Sequence, residues 1–137
     1  MSNLPSDDAR GCIYELLPQG VHVFSFTGKQ TGMDEFFEQL TNILTSAPPD
    51  TPVLRYIVSL ATDDGQANVN ELVRRFRRLE VALPQRPPGR TAILHNGNLL
   101  LTLMGTLVNT LAPQRDQTRF FKREQYDDAL AWVLANE

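Results

Sequence analysis

The chain has 137 residues, 42% of them hydrophobic and 21% charged, with a net charge of −3. That length carries one domain with one core, and the slightly acidic balance excludes a general affinity for nucleic acid. The single cysteine, Cys12, excludes a disulfide framework and fits a reducing cytoplasm.

Residues 1–11 hold Pro, Ser, Asn and two Asp. They lack the basic start and apolar centre of a signal peptide and are expected to form a flexible N-terminal arm ahead of one α/β domain over residues 12–137. No apolar run approaches the ~20 residues that span a bilayer, so no integral membrane segment is expected. Cys12 to Leu17 and Val21 to Phe26 are rich in strand formers and are joined by Pro18-Gln19-Gly20. So short a Pro/Gly connection predicts an antiparallel hairpin. Period-2 alternation puts Val21 and Val23 on one face and Phe24 and Phe26 on the other. Cys12 reads as a small buried residue at the start of the first strand.

Thr31 is placed as a helix N-cap, with Asp34 where a carboxylate can answer the free amides. Met33, Phe36, Phe37, Leu40, Ile43 and Leu44 follow the i, i+3, i+4, i+7 spacing of one helical face. Pro48-Pro49 ends that unit. Val53 to Leu60 is aliphatic on both faces, as a central strand requires. A helix is predicted from about Asn68 to Leu83, with Leu72, Phe76, Leu79 and Leu83 as its apolar stripe. Then follow a strand near Thr91 to Leu94, a helix from about Asn98 to Leu111, a strand near Thr118 to Phe121 and a helix from about Glu124 to Ala135. The order ββαβαβαβα implies a single mixed, mostly parallel sheet with right-handed crossovers.

Ligands of open α/β sheets bind outside the carboxyl ends of the strands. That rim carries Ser59, Thr62, Asp63, Asp64, His95, Asn96 and Asn98. A hydrolase using Asp63 and His95 is one reading of it, but no nucleophile elbow, phosphate loop or dinucleotide fingerprint accompanies them. His22 and His95 lack the paired spacing of a metal site; no catalytic residue, metal or cofactor is assigned. His22 reads as an exposed or hydrogen-bonded strand residue.

Two surfaces remain. Arg74, Arg75, Arg77 and Arg78 spread over a wide helical arc, with Glu71 and Glu80 at ion-pair spacing. They make either a solvated face or a docking patch for an acidic partner or phosphate. The helix from Asn98 to Leu111 has no charged residue, and its apolar positions exceed the ~100° arc that covering a sheet requires. Leu99, Leu101, Met104 and Val108 are therefore candidates for self-association as a homodimer or for contact with an apolar ligand.

The end of the chain resembles the SpoIIAA-like branch of the STAS superfamily, the sulphate transporter and anti-sigma-factor antagonist domains. The aliphatic strand Ala92-Ile93-Leu94, the Phe-bearing strand Arg119-Phe120-Phe121 and the helix Asp127-Asp128-Ala129-Leu130-Ala131-Trp132-Val133 carry the likeness. That family closes on an Ala-x-x-Trp-Leu type helix, and Val133 stands here for the Leu. Tyr126, Leu130 and Val133 are expected to face the sheet, with Trp132 covering an edge.

The resemblance implies a non-enzymatic regulatory module that binds protein partners, nucleotides or lipid-like ligands. Asp63, Asp64, Gly65, Asn68, Arg74, Arg75 and Arg78 would then be its partner face. In that family a Ser in a D-S-S-G-like motif is phosphorylated. Here Asp64 occupies the Ser position, a fixed charge in place of a reversible one. A carrier of a small apolar ligand or lipid, built on the helix 98–111, is the alternative.

Overall fold

The computed structural model describes residues 10–27, 29, 31–48, 50–60, 69–95 and 117–135. Five strands, β1 (Cys12–Leu16), β2 (Val21–Phe26), β3 (Leu54–Ser59), β4 (Gly89–His95) and β5 (Gln117–Lys122), lie in one sheet in sequence order. β1 runs antiparallel to β2, and every other pair is parallel. The helices are α1 (Gly32–Ser46), α2 (Val69–Ala82) and, after a single 3-10 turn at Arg123–Gln125, α3 (Tyr126–Leu134). The fold is therefore α/β with a leading hairpin, as the alternation of patterns predicts. The helix expected over 98–111 lies outside the described residues.

The hairpin closes as its sequence requires. Leu17 donates to the Val21 carbonyl at 2.9 Å and Gly20 donates to the Leu17 carbonyl at 2.9 Å. This is a three-residue loop whose last position is left-handed, and Gly20 sits there at φ 86°. β2 then splits its side chains as alternation demands. Phe24 and Phe26 join the core under α1 and α2, while Val21 and Val23 join the core under α3.

α1 buries all six apolar residues of its predicted stripe. Phe36 is its keystone, edge-on to Phe24 at 4.8 Å and 4.9 Å from Phe37 between ring centroids. Such pairs add about 0.5–1.5 kcal/mol beyond their burial. Thr31 is the N-cap residue but makes no side-chain bond to the helix amides. Asp34 turns outward to Arg75 at 2.6 Å, so it does not serve as the capping carboxylate. Glu35, one residue on, reaches sideways to β1.

The opposite face is covered by α3. Ala129 and Val133 are fully buried against Ile57, Ala92, Leu94 and Phe121, and Tyr126 and Leu130 pack beside them. Two arginines from adjacent strands fix the end of this helix. Arg55 donates to the carbonyls of Val133 and Ala135, the latter at 3.1 Å. Its register partner Arg90 donates through Nε to the Trp132 carbonyl at 2.8 Å. Arg90 also bonds Gln117 and lies 4.1 Å from the centroid of the Trp132 ring. Trp132 thus covers the sheet edge, as expected, and is itself covered by a guanidinium.

The start of α1 meets the residue before β1 closely, Gly32 against Gly11. A Cβ on Gly32 would stand 2.5 Å from the Gly11 carbonyl oxygen. Gly32→Ala is expected to lower stability by about 1–3 kcal/mol, the usual cost of overpacking, read as a fall in the urea midpoint. Gly20→Ala tests a different cause, since nothing lies within 4 Å of its Cβ and only the left-handed backbone is strained.

Candidate functional site

The face that carries α1 and α2 contains an apolar pocket of about 80 Å³. Leu40 and Leu44 of α1, Tyr56 and Val58 of β3, Phe76 of α2 and Ile93 of β4 form most of its wall. The engineered dry cavity that admits benzene measures about 150 Å³, so this pocket suits a small apolar group. Its polar lining comes from Thr91, Thr118 and Arg86. Arg86 is buried at 8% exposure, because Glu80 meets it at 2.9 Å and the Phe76 ring lies 5.9 Å from its guanidinium carbon. The i, i+3 spacing suggested Glu80 for Arg77. The structure gives it to Arg86, since a buried guanidinium needs a counter-charge more than an exposed one does.

α2 sorts the arginine quartet into two classes. Arg75 folds inward, pairing with Asp34 at 2.6 Å and Glu71 at 3.5 Å and lying 4.9 Å from the Phe37 ring centroid. It latches α2 to α1. Arg74, Arg77 and Arg78 are exposed, and none of the ion pairs among the described residues uses them. Of the predicted partner face, Asp63, Asp64, Gly65 and Asn68 lie outside the described residues, as do Leu99, Leu101, Met104 and Val108.

His95 ends β4 at 2% exposure, with Lys122 as its register partner. Burial first, and the Lys122 charge second, hold its imidazole below the ordinary range against an opposing pull from Glu124. His22 is hydrogen-bonded, as its place in a strand suggests: Tyr14 Oη and His22 Nδ1 are 2.7 Å apart. Burial lowers its pKa as well, so the ring that shares this bond favours the neutral form. His22 lines an open groove at the end of α1 with Gln39, Asn42, Ser46 and Thr51. Cys12 is buried, and desolvation pushes its thiol up to about 12, which leaves it unreactive.

Arg55, Arg86 and Arg90 escape sequence reasoning. Their signal is a cation at the head of an otherwise apolar strand or in the proline loop before one, where solvation alone does not explain it. Among the described residues no group of His, Cys, Asp and Glu is placed to hold a metal ion, and no helix is long and apolar enough to cross a membrane. No protein-family model, curated protein or solved structure matches the chain.

Both histidines favour the neutral form when folded, so the unfolded chain binds more protons once the pH falls below about 6.5. Stability is complete above that value and declines as the pH drops toward the depressed folded pKa values. His22→Gln is expected to remove part of this decline while leaving the His95 share. Urea titrations of both proteins on either side of the window measure the difference, and parallel curves would exclude His22 as a source.

Proposed function

We propose that the chain is a non-enzymatic, SpoIIAA-like interaction module of the STAS type that docks an acidic protein partner through the outer face of α2. The observation that carries this reading is the division of the quartet. One arginine is spent on holding α2 in place, and Arg74, Arg77 and Arg78 stand outward on the element so held. An overall acidic chain that exposes three cations on one helix offers a local field of opposite sign to its own. The arrangement α/β with a leading hairpin supports the family reading at the level of architecture. Asp64 in place of a phosphorylatable Ser makes the module one that phosphorylation at that position does not switch. A hydrolase using Asp63 and His95 would need a reachable imidazole, whereas His95 is 2% exposed.

The test compares cross-linked partners of the full chain with those of an Arg74→Glu/Arg77→Glu/Arg78→Glu variant. An acidic protein is expected with the wild type only, and its recovery should fall steeply as salt is raised. A partner retained equally by both chains would place the contact elsewhere. No reproducible partner for either would refute the module.

The pocket between α1 and α2 favours a second reading, the carrier of a small apolar ligand. Native mass spectrometry of the chain purified from its host should then show an adduct of small-molecule mass. Thr91→Leu, which narrows the pocket from a half-buried position, should abolish that adduct. An adduct-free wild-type spectrum would count against the carrier.

A further inference from the structure

We infer that the apolar pocket under α1 and α2 takes a small uncharged molecule: a short aliphatic chain ending in a hydroxyl or carbonyl, its oxygen held at Thr91 and Thr118. This rests on the carrier reading and names the class of its ligand. The strand register builds the oxygen end. Thr91 is the partner of Tyr56 on one side and of Thr118 on the other. Residues in register share a face of the sheet, so the three side chains form one row, and all three line the pocket. Two residues further along, Val58 and Ile93 make the next row, which brings no polar side-chain atom.

The pocket therefore has two unlike ends. Leu40, Leu60, Val58 and Ile93 line it and are buried, whereas Thr91 and Thr118 are half-buried. A chain entering tail first places its carbons at the deep end, where burial favours them. Its oxygen stays beside two hydroxyls, each able to donate and to accept.

The charge of the ligand follows from Arg86. Among the described lining residues it alone is charged, and Glu80 meets it at 2.9 Å. The pair is balanced before any ligand arrives. A carboxylate would have to displace Glu80 and leave that group partly buried without its counter-charge. An ammonium would face the guanidinium. Both are costly, and an uncharged head meets neither cost. Size follows from the volume. The pocket of about 80 Å³ has roughly half the space of the ~150 Å³ cavity that admits benzene, which sets the tail at about three carbons.

Titrations of the full chain with propan-1-ol, propionate and propylammonium test this, followed through amide chemical shifts. Propan-1-ol should move the Thr91 and Ile93 amides saturably, and the two ions should bind about tenfold more weakly. Thr91→Val and Thr118→Val keep the side-chain shape and remove one hydroxyl each. Either should weaken propan-1-ol about fivefold, the loss of one hydrogen bond, with an unchanged circular dichroism spectrum. If Thr91→Val misfolds, Thr118→Val on the neighbouring strand decides. Propionate that binds as well as propan-1-ol, or valine variants that bind it unchanged, would overturn the inference and leave the carrier standing. Propan-1-ol without a saturable shift would also overturn it, and the carrier falls too only where the native mass spectrum is adduct-free.

Discussion

The sheet needs cover on both faces, and α3 supplies it beneath β2 to β5 with nine residues. So short a helix is marginal alone in water, and its last carbonyls lack intrahelical partners. Arg55 and Arg90 meet both deficits at once. They reach from neighbouring strands to the carbonyls of Trp132, Val133 and Ala135, and cations at a helix C-terminus contribute about 0.3–1 kcal/mol each, more when partly buried. Two like charges side by side in a sheet repel; shared attraction to the negative end of the helix offsets that. The position of α3 thereby fixes which residues of β2 to β5 are core and which are lining.

Most of the fold was legible because it rests on periodicity. The stripe of α1, the split of Val21/Val23 from Phe24/Phe26 and the hairpin at Gly20 are local demands, and the structure meets them in place. The polar anchors were not legible, because each depends on a residue far along the chain. Arg55 and Ala135 are 80 positions apart, and Glu80 prefers Arg86 to Arg77 only because the loop before β4 folds Arg86 into the core. Glu35 resembles any wet-side helix carboxylate until β1 is laid beside it. Of the candidate site, the charge pattern on α2 was visible, but the inward turn of Arg75 was not, since it requires Phe37 and Asp34 of another helix. Trp132 has its own physical reason: it fills the space between Phe121 and Arg90.

The chemistry of the molecule is one of restraint. Its thiol is pushed up to about 12, and burial keeps both imidazoles toward the neutral form. For Glu35, burial raises the pKa, but bonds from Thr31 and the amides of Cys12 and Gly11, helped by the Arg10 charge, outweigh it and hold the carboxyl low. Among the described residues every buried side-chain nitrogen and oxygen has a partner. Among the described residues, an apolar slot and an arginine-bearing helix face are open to other molecules.

The strand order has a consequence for synthesis. Each strand from β2 onward pairs with the one made just before it, so the sheet grows from one edge in the direction the ribosome delivers it, with short loop closures at each step. The α1 and α2 side acquires its cover as it grows. Among the described residues the other side does not: Val21, Val23, Ile57, Ala92 and Leu94 await residues 126–134. During translation, at ~5–20 residues per second, a nascent sheet still without α3 persists for several seconds, a natural target for a chaperone at the exit tunnel.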